Sequence, residues 1–255
     1  MAQLEFNQEL AEQMEVLYRQ PDILRRRSIV YEALGAQPGE RILDAGCGPG
    51  FYVAELLEQV GSEGSVVGVD ASAPMLGVAA KRSEGHANVS FLEGEVTALP
   101  VGDADFDRVL SVQVLEYVAD IPAALAELRR VLRPGGTVLI WDVDWGTVSW
   151  HSEDQGRMER FLKAWDKHLT DPSLPRTLSA RMREAGFEDV QLEGHAFATD
   201  DVNETTYAGA LVPLMAGFVG TEEAQEWAEE QRQLQARGEA YFACIQFCFT
   251  GRRPA

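Results

Sequence analysis

Cysteine, histidine and positive charge are all scarce in this chain. Its 255 residues carry 22 lysines and arginines against 41 aspartates and glutamates, a formal net charge of −19. A field of that sign repels phosphate backbones and anionic lipid surfaces. The one dense basic run, Arg25-Arg26-Arg27, is too short to offset it, which argues against nucleic acid or a membrane surface as partner. The cysteines are Cys47, Cys244 and Cys248. An odd count without paired spacing points to reduced thiols in a cytoplasmic protein, not to a disulfide framework. Cys244 and Cys248 alternate along a strand-like run with no third ligand nearby in sequence, so no metal site is expected. No apolar run reaches the length of a bilayer span, and the start MAQLEFNQELAEQ lacks the basic and apolar segments of a signal peptide.

Hydrophobic residues make up 45% of the chain, enough to bury one large core without staples. Leu10, Met14, Leu17 and Tyr18 recur at helical spacing, and a second stripe runs from Pro21 through Ile23, Val30 and Leu34 to Gly35. From Arg41 the pattern alternates. Short apolar strands fall at Arg41–Ala45, Ser65–Val69, Val89–Leu92, Phe106–Val112 and Thr137–Asp142. Helices fall at Phe51–Val60, Pro74–Arg82 and around Ile121 to Leu132, the last stopped by Pro134-Gly135-Gly136. Alternating strands and helices predict a parallel sheet covered on both faces. Beyond Asp142 the spacing predicts an inserted helix carrying Phe161 and Trp165, a core helix ending at Gly186, a strand at Val190–Leu192, helices over Asn203–Val219 and Thr221–Arg237, and a last strand over Tyr241–Phe249. One domain over 1–255 is expected, with helical caps at 1–39, 143–175 and 199–238.

The strongest local signal is Ile42-Leu43-Asp44-Ala45-Gly46-Cys47-Gly48-Pro49-Gly50. A strand runs into three alternate glycines and then a helix, whose free N–H groups suit an anionic group. Asp44 suits a ligand ammonium. Twenty residues past Gly50, the strand ending Val69-Asp70 supplies an acid able to accept from both ribose hydroxyls of an adenosine. Dinucleotide-binding enzymes share this logic, but their sixth position needs a small residue, and here it is Phe51.

LDAGCGPG, VVGVD, FLEGEVTALP, FDRVLSVQVLEYVAD and LRRVLRPGG, in this order and spacing, resemble the class I methyltransferases, and within them the ubiquinone and menaquinone C-methyltransferase group. The resemblance covers Glu40 to Asp142. It implies a doubly wound α/β fold with a seven-stranded, mostly parallel sheet of order 3-2-1-4-5-7-6, the last strand antiparallel, and S-adenosylmethionine as cofactor. It implies that Gly46, Gly48 and Gly50 line the methionine part, with Asp44 near the amino group and Asp70 on the ribose. Ala71 follows Asp70, and Met75 either covers the adenine or is a core methionine. Glu95 stands where the family usually has an aspartate reading the adenine amine, and Val96 offers its N–H to the ring. Ser111 and Gln113 end the fourth strand beside the amino-acid portion, Gln113 alternatively facing the substrate. Tyr117 stands where the family commonly has histidine, and Glu116 reads as structural.

Methyl transfer from a sulfonium needs alignment more than acid–base chemistry, and a base only when the acceptor carries a proton. The aromatic, acidic segment Trp141 to His151 makes His151 the first candidate base and Asp144 the second, with Trp145 and Trp150 as a stacking wall. Alternatively the tryptophans pack the insertion and His151 is a surface residue. Tyr18 and Arg27 are candidates for reaching the cofactor carboxylate, Arg27 equally for a surface ion pair. The apolar run Ala208 to Val219, with Met215, fits a substrate cavity, ordinary core or a homodimer face. The expected activity is methylation of an O, N or C atom of a small, partly apolar metabolite. A non-catalytic S-adenosylmethionine-binding protein and a nicotinamide oxidoreductase are the alternatives.

Overall fold

A computed structural model describes residues 17–255, so the expected stripe at Leu10 and Met14 lies outside the described residues. The elements are α1 (Pro21–Leu34), β1 (Arg41–Ala45), α2 (Phe51–Val60), β2 (Ser65–Asp70), α3 (Ala73–Arg82), β3 (Val89–Glu93), β4 (Phe106–Val112), a 3₁₀ turn (Leu115–Tyr117), α4 (Ile121–Val131), β5 (Leu132–Trp150), α5 (Gln155–Trp165), α6 (Pro175–Glu184), β6 (Glu188–Thr199), α7 (Tyr207–Ala216), α8 (Thr221–Arg237) and β7 (Phe242–Arg252). The seven strands form one sheet in the order β3-β2-β1-β4-β5-β7-β6. The first five run parallel, and β7 is antiparallel to both β5 and β6.

Local chemistry sets most boundaries. Proline at its start and Gly35 in the left-handed region at its end (φ 61) delimit α1. Asp120 caps α4 by accepting from Ala123 N at 2.9 Å, and the helix buries Ile121, Ala124, Leu125, Leu128 and Val131. Each face of the sheet carries its own core. Ile42, Val66, Leu110 and Leu139 join the core under α1 and α2, which also takes in the aromatic residues of α5, α7 and α8. Leu43, Val67, Val109 and Ile140 join the core under α4 and α6. Along each strand the side chains alternate between the two cores, as the pleat requires.

Two expectations are corrected. The expected helix over Asn203–Val219 narrows to Tyr207–Ala216, because Thr206 caps Gly209 N at 3.1 Å. Asn203 instead turns the chain with Asp201. Pro213 lies inside that helix. The largest difference is β5, which does not stop at Asp142 but continues to Trp150. The antiparallel β7 runs beside it, pairing Asp142 with Phe247 and Trp150 with Phe242 across a bulge between Asp144 and Ser149. The start of the expected 143–175 cap is thus sheet. No helix among the described residues is long and apolar enough to cross a membrane.

Candidate active site

The strand order reverses between β1 and β4. The loops leaving the carboxyl ends of β1, β2 and β4 diverge there around a cavity of about 640 Å³. Of the expected cofactor residues, Tyr18, Gly46, Gly48, Asp70, Ala71, Met75, Glu95, Val96 and Gln113 all line it. Tyr117, Val114 and Val118 complete the wall on the β4 side.

The three glycines have different tasks. Gly46 has φ 82, and a methyl group there would collide with Val114. Gly48 has φ 49 and faces open space. Gly50 (φ 78) sits at the start of α2, where an added Cβ would lie 2.7 Å from Ala79 of α3. It lets α2 and α3 approach closely and is not among the residues lining the cavity. Asp70 accepts hydrogen bonds from Gly48 N and Ser72 N, each at 2.8 Å, and so ties the glycine loop to the end of β2. Burial raises its pKa, against the pull of those two donors.

Asp44 lies buried under the loop, outside the cavity lining, and its Oδ2 has no partner. Burial, then the negative charge of Asp70, pushes its pKa up to about 8. Ser111 is wholly buried and its hydroxyl also lacks a partner. Gln113 adopts φ 54, donating its N–H to Trp141 O at 2.7 Å, and its Oε1 accepts from the guanidinium of Arg26. The bulky Phe51 that breaks the dinucleotide pattern stacks with Tyr18 at 4.7 Å, pinning the segment before α1 over the glycine loop.

Several expectations fail on geometry. Arg27 pairs with Glu55 on α2 at 3.1 Å and does not reach the cavity. Its neighbour Arg26 does not line the cavity either, but it backs two residues that do: it is 1% exposed, bonds Gln113 and lies over the Tyr18 ring. Helical phase does not choose between the two, since Arg26 and Arg27 both lie on the buried side of α1 with Ile23, Val30 and Leu34. Asp144 is buried in a two-pronged ion pair with Arg176, at 2.7 and 3.0 Å. His151 is exposed, its main-chain N–H donating to Tyr241 O at 3.0 Å. Trp145 packs on Trp165 and donates to Glu116 Oε2 at 2.8 Å. Trp150 packs on Phe242 and Trp227, and Met215 is core. None of these five lines the cavity; the continuation of β5 carries the segment from Asp144 to His151 away from the switch point, and Met215 packs in α7.

Comparison with known proteins agrees with this geometry. The methyltransferase domain family matches residues 43–140. A 2-phytyl-1,4-naphthoquinone methyltransferase of Thermosynechococcus vestitus is 32% identical over 168 residues, covering 60% of this chain and 74% of the relative. The same enzyme of Synechocystis sp. is 41% identical over 111 residues, covering 42% of this chain and 47% of the relative. The chain spans about half the length of the curated relatives that it matches first. In fold it is similar to Haemonchus contortus phosphoethanolamine N-methyltransferase 2 in complex with S-adenosyl-L-methionine, with TM-score 0.67 and 18% identity over 99% of this chain and 60% of that one. Sheet order, switch-point cavity and sequence kinship agree, and the chain belongs to the class I S-adenosylmethionine-dependent methyltransferases, in the kinship of the quinone methyltransferases.

Proposed function

We propose that the protein transfers the methyl group of S-adenosylmethionine to a small, partly apolar metabolite. The observation that carries this reading is Asp44: a fully buried carboxylate oxygen without a partner, under a glycine loop that opens onto a cavity. Such an oxygen is costly until a donor reaches it, and a ligand ammonium group is a fitting donor. Asp70 would hold the ribose hydroxyls. Met75 and Val96 would flank the adenine, with Glu95 at its amine, and Gly46 and Gly48 would admit the methionine part. Arg26 takes the role first assigned to Arg27, a buried counter-charge for the carboxylate.

When bound, the cofactor supplies an electrophilic methyl carbon on a positively charged sulfur. The chain's own work is to exclude water and align the acceptor. Tyr18 and Gln113 border the cavity beside α1, and Tyr117, Val114 and Val118 offer an aromatic and apolar wall. That wall suits a planar ring, and the naphthoquinone relatives act on one. The acidic surface favours a small molecule over nucleic acid as substrate, and the reduced thiols fit a cytoplasmic setting. Calorimetric titration with S-adenosylhomocysteine tests the reading. Saturable binding that is weakened by Asp70→Asn is expected, and no binding to the wild type would overturn it.

A further inference from the structure

Next to the β4 side of the cavity lies a group of buried polar side chains, of which the cofactor reading uses only Arg26. Glu116, in the 3₁₀ turn, and Asp142, on β5, are both 0% exposed. Oε1 of Glu116 has no partner, its Oε2 being held by Trp145, and Asp142 has no side-chain partner, only the backbone of Glu116 favouring its charge. Arg26, 1% exposed and acting on Glu116 from α1, also has an unpartnered Nε. The cavity residue Tyr117 adjoins this group in sequence and lines the cavity. The charges of Glu116 and Asp142 act on its phenol, and Tyr117 in turn favours the ionised Glu116.

We propose, resting on the methyltransferase reading, that Tyr117, Glu116 and Asp142 form a proton relay for an acceptor whose reacting group is a hydroxyl, phenolic or enolic. The acceptor O–H bond breaks with its electron pair left on oxygen. The proton bonds to the Tyr117 oxygen as the Tyr117 hydroxyl proton passes to the Glu116 carboxylate. Two O–H bonds break and two form, and nothing is oxidised or reduced. A hydroxyl acceptor fits better than an ammonium one. The acids lining the cavity itself, Asp70, Glu93 and Glu95, lie on the β2–β3 side, while the β4 side presents a phenol able both to accept and to donate.

The electrostatics agree with the geometry. Burial and the charge of Glu116 hold Asp142 well above the ordinary carboxylate range. Burial pushes Glu116 up to about 7, opposed by Trp145, by Arg26 and by Tyr117. One acid therefore keeps its proton while the other is poised to take one near neutrality. The other groups facing this cluster are Tyr18 before α1, Tyr207 on α7, Asp171 before α6 and His168 after α5, whose ring centroid lies 5.8 Å from that of Tyr117.

Infrared titration of the full-length protein reads the protonated-carboxyl band, with S-adenosylhomocysteine calorimetry alongside. Two carboxyls, Glu116 and Asp44, are expected to titrate within about one pH unit of neutrality. The Glu116 component should be lost in Glu116→Gln, which retains the amide oxygen for Trp145, and shifted in Tyr117→Phe, with the Asp44 component and S-adenosylhomocysteine binding retained in both. Adding 1,4-dihydroxynaphthalene to the S-adenosylhomocysteine complex should increase the Glu116 component in the wild type and leave it unchanged in Tyr117→Phe. A Glu116 component indifferent to Tyr117→Phe, or to the dihydroxynaphthalene in the wild type, overturns the relay. Failure of the wild type to bind S-adenosylhomocysteine would instead overturn the cofactor reading.

Discussion

The two halves of the sheet place their chemistry by different rules. From β1 to β4 the strands are 5, 6, 5 and 7 residues long. The chain just beyond each one contributes to the cavity: Gly46, Ala71, Gly94 and Gln113. From β5 to β7 the strands run to 19, 12 and 11 residues in sequence order, pair antiparallel, and supply no residue to the cavity lining. In the parallel half every strand must end where its crossover begins, so function collects at one edge. In the antiparallel half a strand's length is set by a partner distant in sequence, and its aromatic residues are spent on packing. Identical chemistry, a tryptophan or an acid beside a strand end, has different meanings in the two halves.

The largest effect that would sharpen this contrast is expected at Trp150. It is 3% exposed, packed against Trp227 and Phe242. Trp150→Ala should cost about 3–5 kcal/mol of stability, measured by denaturant unfolding, with S-adenosylhomocysteine affinity unchanged. If stability held and substrate saturation changed, the antiparallel half would have to be read as a substrate wall after all.

At Asp70 the ranking should invert. Asp70→Ala removes charge-assisted acceptors at the end of β2 and should cost about 2–4 kcal/mol of cofactor binding by calorimetry. Because Asp70 also holds Gly48 N and Ser72 N, Asp70→Asn serves as the milder partner, keeping one acceptor oxygen. Unchanged affinity in both variants would move the ribose away from β2.

A smaller, signed effect is expected from Asp44. Its pKa rises from the ordinary 3.8 to about 8, so between those values the folded chain holds a proton that the unfolded chain has lost. Its contribution to stability is fully present below about pH 4 and is lost as pH rises toward 8. A ligand ammonium favours the ionised carboxylate, so cofactor binding near pH 7 should release part of one proton. Calorimetry in buffers of different ionisation enthalpy reads that release, and Asp44→Asn should abolish it. Equal proton release in the variant would assign the proton elsewhere.

Sequence reading reached furthest where local punctuation sets the structure. The expected bounds of β1, α2, β4 and α8 coincide with those observed, because glycines, caps and strand alternation stop each element within a few residues. Nine of the thirteen expected cofactor residues border the cavity for the same reason. Arg26 and Arg27 show the limit: one residue turns a side chain by about 100° around a helix, and chemistry alone does not choose between two arginines. Gly50 was legible as a glycine but not as a spacer against Ala79, since α3 lies on a different stretch of chain. Glu116 reads as structural in sequence. Its nearness to Asp142 depends on β4 and β5 being neighbours in the sheet, a relation that no local motif expresses.

The smallest effect is expected at His151, where the two halves of the molecule are easiest to confuse. It follows Trp150 in a segment dense in aromatics and acids, which is why its composition resembles that of a pocket. The structure leaves its ring exposed, and only its main chain is engaged. The N–H donates to Tyr241 O and the carbonyl accepts from Gln231 Nε2, both at 3.0 Å. Alanine preserves both bonds, so His151→Ala should change stability by no more than about 0.5 kcal/mol and leave cofactor affinity as it is. Asp144, in contrast, is buried against Arg176, and Asp144→Ala should lower the melting temperature by removing a charge-assisted pair. A His151→Ala variant that kept its melting temperature and its cofactor affinity but lost methyl transfer would put acceptor chemistry at the far end of β5. That result would break the division of labour between the parallel and antiparallel halves, because His151 is exposed and does not line the switch-point cavity.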